Sequence, residues 1–362
     1  MEPPCSLCRC AAIVIGVHLL LLLPPSTLSF RLAPALSPAP APVPEALKTI
    51  TVDQHGGGDF RHVQSAVNFV PDGNREWIRI HVKSGSYREK VSIPKEKGFI
   101  LLEGDGSWNT DINYNDHAHG DINDLMSNGG GSGNWSPTAE SATFTVLADN
   151  FVARNIAFKN MYNAVDKSRP DQAVAALVGG DRSAFHGCAF YGFQDTLCDL
   201  AGRHYFRDCF IKGGVDFIFG YGQSIYEGCT LESDVPSWYG RQPGWVTAHA
   251  RLTAGSPGGL VFKGGEVRGS GRLYLGRAWN QYATVVFYHV NMTDVVVPQG
   301  WEAWNAGQDV SQVTFAEVGC SGPGSNTAGR VSWEKHLSEG ELQKFVDMKF
   351  IDHDGWLSSL PN

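Results

Sequence analysis

Six segments of the chain repeat one eight-residue pattern of apolar and polar positions. They are residues 151–158 (FVARNIAF), 183–190 (SAFHGCAF), 204–211 (HYFRDCFI), 224–231 (SIYEGCTL), 260–267 (LVFKGGEV) and 285–292 (VVFYHVNM). In most of them apolar and polar residues alternate, the period-2 signature of a half-buried strand. Three successive copies, at Ser183, His204 and Ser224, start 21 and then 20 residues apart. A period near 20, with one strand per copy, turns between and no helical pattern in the gaps, describes the coils of a solenoid. The pattern therefore predicts an all-β chain wound as a right-handed parallel β-helix. Cys188, Cys209 and Cys229 hold the sixth place of three successive copies and read as an interior ladder of small apolar side chains.

Helical spacing is found mainly near the ends. Phe60, Val63, Val67 and Val70 share one face of a segment stopped by Pro71, which predicts a short helix capping the open N-terminal edge. Residues 341–350 predict a second helix at the other end. Residues 116–133 are polar and glycine-rich and read as a long surface loop, and His55 to Gly58 (HGGG) as a turn before the capping helix. The HGGG run also occurs in the oxyanion loop of serine esterases. Those enzymes need a GxSxG elbow, which this chain lacks.

The first 29 residues belong to none of this. Arg9, an apolar run from Ala11 to Leu23 and small residues up to Ser29 predict a secretory signal. The run is shorter than the roughly 20 residues a membrane span needs, so no membrane association is expected once the signal is cleaved. Residues 30–47, rich in Pro and Ala, predict an extended tether. Residues 48–362 are left as one β-helix domain, expected to be secreted to the extracellular space.

Charge narrows the partners. The formal net charge is −8, spread without blocks and with no basic stripe, which argues against nucleic acid. A negative balance should also hold any anionic ligand weakly. After signal cleavage five cysteines remain, Cys188, Cys198, Cys209, Cys229 and Cys320, an odd number that leaves at least one unpaired within the chain. Asp116, His117, His119 and Asp121 have metal-ligand chemistry but fit no standard zinc spacing, so no metal and no cofactor are expected.

The repeat itself points to the chemistry. Asp195 lies twelve residues after the start of its copy, and Asp216 lies twelve after the start of the next. Equivalent places on adjacent coils are separated by one strand spacing, roughly 4.8 Å. Two carboxylates at that distance repel by roughly 3 kcal/mol at an effective dielectric of 20. That is about two pKa units, enough to keep one protonated near neutral pH while the other is held ionised. Spacing alone also fits two ordinary turn aspartates.

Five further blocks favour the chemical reading. GSYREKV at 85–91, QAVAAL at 172–177, GFQDTL at 192–197, VDFIFG at 215–220 and LGRAW at 275–279 occur in order. Together they resemble the plant pectin methylesterases (pectinesterases, carbohydrate esterase family 8) from about residue 50 to residue 357. The resemblance implies hydrolysis of the methyl esters of galacturonosyl residues in cell-wall pectin, with methanol as the second product. It implies Asp216 as nucleophile and Asp195 as acid and then base. It implies Gln172 and Gln194 as oxyanion donors, Arg277 as the partner of Asp216, and Trp279 packed against the sugar. Phe193 and Phe217 are further substrate-binding candidates, as are Trp301 and Trp304; core packing is the competing role for each phenylalanine.

Two departures stand out. Ala278 replaces a usual proline and is expected to loosen the loop carrying Arg277 and Trp279, and Cys198 replaces a usual tyrosine. The implied partners are methyl-esterified homogalacturonan and, in the family, a separate inhibitor protein; the resemblance is to the short form, so the inhibitor-like pro-region is expected to be absent, and a monomer is expected. Two other readings stay open: a catalytically silent pectin-binding relative, and another β-helix pectin-degrading enzyme. Asn134 and Asn291 stand in glycosylation sequons, and Asn291 needs an outward-facing side chain.

Overall fold

A computed structural model describes residues 47–118, 136–165, 170–236, 239–240 and 242–361. The segments read as signal and tether, apart from Leu47, lie outside the described residues, as do Asn134 and most of the glycine-rich loop with His119 and Asp121.

Each repeat copy holds two strands where the pattern had read one. In one coil they are Ser183–His186 and Ala189–Tyr191, and in the next Arg203–Arg207 and Phe210–Gly213. The bend between them falls at the fifth place of the pattern. There Asn155, Gly187, Asp208, Gly228, Gly264 and His289 all take φ between 52° and 65°. This left-handed region is cheap for Gly and tolerated by Asn and Asp. The residue types at that place were a turn signal inside what the alternation read as one continuous strand.

A third strand completes each coil, as Leu197–Asp199 and Ile218–Gly220 do here. Coil upon coil, the strands stack into three parallel sheets of ten, eight and eight members among the described residues. The fold is a right-handed parallel β-helix.

The core follows the repeat. Its third place points inward, and Phe185, Phe206, Tyr226, Phe262 and Phe287 lie in register on five adjacent coils. Their rings stack at centroid distances of 4.8, 4.5, 4.7 and 4.5 Å. Beside them Cys188, Cys209 and Cys229 are buried and unbridged, and so is the ladder expected of them. The Cys209 and Cys229 thiols donate to the carbonyls of Phe185 and Phe206 one coil back.

Helix Val63–Phe69 buries Val63, Ala66 and Val67 at the N-terminal end, against strands Lys48–Val52, Ile78–Val82 and Val91–Ile93. Glu89 accepts the free N–H groups of Val63 and Gln64, both at 2.9 Å, where the helix dipole favours a carboxylate. The hydroxyl of buried Tyr87 donates to the Lys83 carbonyl. Both residues of the GSYREKV block therefore have structural partners.

The C-terminal helices, Glu339–Val346 and Lys349–Asp352, do not close the far end. Leu342, Val346 and Ile351 pack on the outer face of the first sheet, over Val152, Ala184, Ile225, Val261 and Val286. Those five residues occupy the second place of the pattern. A strand apolar at both its second and third places is buried on both faces and needs such a cover.

Candidate active site

The turn joining the second sheet to the third carries the two aspartates. Gln172, Gln194 and Val215 are bridged in parallel register across three coils, so Asp195 and Asp216, each the next residue, face one another across one strand spacing. Both aspartates take left-handed φ, 62° and 46°. Asp is among the few side chains that accept this conformation. Both are almost wholly buried, at 8% and 5% exposure.

Arg277 distinguishes the two. It stands on strand Leu273–Ala278, two coils beyond Asp216, and must reach back over roughly 9–10 Å of sheet. The residue between them in its row is Ala248, small enough to let the guanidinium pass. Arg277 Nε donates to Asp216 Oδ1 at 2.8 Å and Nη2 to Oδ2, a bidentate clamp. The guanidinium lies 4.1 Å from the ring centroids of both Trp245 and Trp304. Trp245 Nε1 in turn donates to Glu302 at 2.8 Å.

Burial pushes both carboxyls up, and Arg277 opposes that push most strongly at Asp216, which it bonds directly. Asp195 rises well above the carboxylate range, first through burial and then through the charge of Asp216. The shared proton therefore belongs on Asp195, with Asp216 ionised.

The cleft over this pair is lined by Gln172, Gln194, Thr138, Phe219, Trp279 and Trp304 around the acidic and basic groups. The side-chain amides of Gln172 and Gln194 have no hydrogen-bond partner among the described residues and are free to donate into it. Trp279 stacks on Trp304 at 5.8 Å, with Phe219 and Tyr221 at 6.3 and 6.0 Å.

Asp195, Asp216, Gln172, Gln194, Arg277, Trp279 and Trp304 are thus brought together, and three aromatic candidates are not. Phe217 and the next residue, Ile218, are both buried in the core. Phe219, two residues on, takes the place in the cleft wall. Trp301 is buried against Phe315. Phe193 packs on Tyr239 and borders a different groove.

Ala278 does not loosen a loop. It ends a paired strand, buried, in register with His249 and Ala303, where proline would lack the N–H. Cys198 is buried in the cleft floor, and burial, with Asp195 and Asp199 close by, pushes its thiol well above the usual range. Sequence reasoning missed Trp245, Glu302 and Phe219. Their only signal was registration with Arg277 and Asp216, which requires the strand pairing.

A coupled carboxyl pair in an aromatic cleft on one face of a parallel β-helix defines a β-helical enzyme acting on polysaccharide. Comparison with known proteins specifies which. The pectinesterase family model matches residues 49–354, and the chain belongs to that family. It is 44% identical to Probable pectinesterase 29 of Arabidopsis thaliana over 317 residues, 86% of this chain and 89% of that one. It is 43% identical to Probable pectinesterase 55 of the same plant, over 86% and 91% of the two chains. Among solved structures, the pectin methylesterase from carrot superposes with a TM-score of 0.75 at 31% identity, covering 86% of this chain and 95% of that one.

Proposed function

We propose that this enzyme hydrolyses the methyl esters of galacturonosyl residues in pectin through an acyl-enzyme at Asp216. The observation carrying this reading is the asymmetry of the pair: Asp216 is clamped by Arg277, while Asp195, one coil away, has no cation bonded to it among the described residues. An ionised Asp216 oxygen attacks the ester carbonyl carbon, and the carbonyl electrons move to oxygen. The amides of Gln172 and Gln194 donate to that oxyanion; loss of one such donor typically costs roughly a hundred- to thousand-fold in rate. Collapse of the intermediate expels the methoxy group, which takes the Asp195 proton and leaves as methanol.

Asp195, now a carboxylate, accepts a proton from water as that water attacks the anhydride at its galacturonyl carbon. The free acid departs, Asp216 is again ionised and Asp195 again protonated. The aromatic wall of Phe219, Trp279 and Trp304 offers ring faces to the pyranose. We further infer secretion to the cell wall, monomeric action and susceptibility to a separate inhibitor protein, on the strength of the signal-like N-terminus and the family.

Methanol release from highly methylated pectin, with polymer length followed in parallel, tests this. Wild type should release methanol at constant chain length, and a folded Asp216→Asn variant almost none. A shortened polymer would replace the esterase with a chain-cleaving enzyme, and a silent wild type would favour a binding relative.

A further inference from the structure

Across the Gly192–Gln194 turn from the cleft, the outer face of the second sheet holds a groove of about 560 Å³. Its rim carries Trp108, which at 79% exposure is the most exposed large apolar side chain among the described residues. Trp108 precedes strand Thr110–Tyr114, yet its ring meets Phe210, three strands along the same sheet, at 6.0 Å. The row it crosses holds Ala157 and Ala189, small enough to leave the way open. Phe210 continues to Tyr191 at 5.4 Å, giving a run of three rings.

Two ammonium groups border the run. Lys159 Nζ lies 5.3 Å from the Tyr191 ring centroid and 3.1 Å from Asp111, and Lys212 Nζ lies 3.1 Å from Asp234, itself part of the groove lining, and 3.9 Å from Glu232. Partly exposed pairs of this kind are held weakly, so a ligand carboxylate can compete for either lysine. Gly192 and Phe193 line the groove, while Gln194 and Asp195 line the cleft, so one turn separates the two. Arg277, the basic group of the cleft lining, is held through two contacts by buried Asp216, whereas each groove lysine meets its aspartate through one more exposed contact, so a free carboxylate finds an accessible cation in the groove and not in the cleft. Ring faces beside ammonium groups suit a pyranose bearing a free carboxylate.

We propose that the Trp108 groove is a second glycan site, which binds the de-esterified stretch of a galacturonan chain whose esterified part lies in the cleft. The ligand class rests on the esterase reading. The groove itself is tested without turnover, by electrophoresis of the full enzyme through gels containing polygalacturonate or neutral dextran. Polygalacturonate should retard wild type, Trp108→Ala should abolish the retardation, and Lys159→Gln with Lys212→Gln should weaken it. In kinetics, Trp108→Ala should raise KM for partly de-esterified pectin roughly tenfold, the scale of losing one aromatic anchor. Its kcat, its KM for a short fully methylated oligomer and its melting temperature should not change. Equal retardation by dextran, an unchanged polymer KM, or a rise shared by the short oligomer would each overturn the site. Retardation through Trp108 by an enzyme that releases no methanol would keep the groove and remove the esterase.

Discussion

Asp195 illustrates how a single residue sets activity against stability. Burial and the charge of Asp216 hold its folded pKa above the unfolded value, so its contribution to stability is full below the unfolded pKa and is lost as pH rises through the folded one. Asp195→Asn should therefore lose esterase activity yet melt at a higher temperature than wild type at neutral pH, with the gap closing in acid. Thermal melts across that range check it. Arg277 acts on the other member by lowering the Asp216 pKa. Residual activity of Arg277→Gln should show its acidic limb displaced to higher pH, read from the kcat/KM profile. The aspartate pair was legible in the sequence because both residues hold one place in a repeat. The supports of Arg277 were not, since Trp245 and Glu302 meet it only through strand register. Phe217 was misplaced because it adjoins the proposed nucleophile in its motif, whereas its side chain is packed with Ile218 in the core.

Elements of this fold are strands of two to six residues, too short to be stable alone, so stacking between coils must hold them. The five-ring ladder concentrates that stacking, and Phe206 lies against two rings of it, Phe185 and Tyr226. Phe206→Ala should cost about 3–5 kcal/mol, measurable by denaturant titration where unfolding is reversible. The same ladder borders a buried polar group. Asp199 accepts from the Tyr226 hydroxyl at 2.7 Å and bonds His204 Nδ1 at 2.5 Å, with both ionisable side chains fully enclosed. The aromatic places were plain in the repeat. The split of each copy into two strands was hidden because the left-handed residue at the fifth place shifts the inward positions from the first and third places to the sixth and eighth, a phase change that a single alternating strand does not anticipate.

At the scale of the molecule, net charge and local surface make opposite demands. A charge of −8 opposes retention of an anionic product, whereas the Trp108 groove retains it next to the cleft. If the groove prevails, wild type should leave contiguous runs of free acid and Trp108→Ala shorter ones, as mapped by fragmenting the product at de-esterified residues. The fold class was legible end to end, apart from the C-terminal helices, whose destination depended on an apolar outer face noticed only once the strands were paired. The proposed catalytic constellation is spread over successive coils, from Gln172 through Asp195, Asp216 and Arg277 to Glu302, each contributing from an equivalent region. A coil gained or lost between Gln172 and Glu302 would part the proposed nucleophile from its acid or its clamp, while one at either end would leave the distances among these residues intact. Such a chain can change its length by whole turns only outside its catalytic stretch, so its relatives should vary in size at the termini and in the loops and agree in the number of coils between.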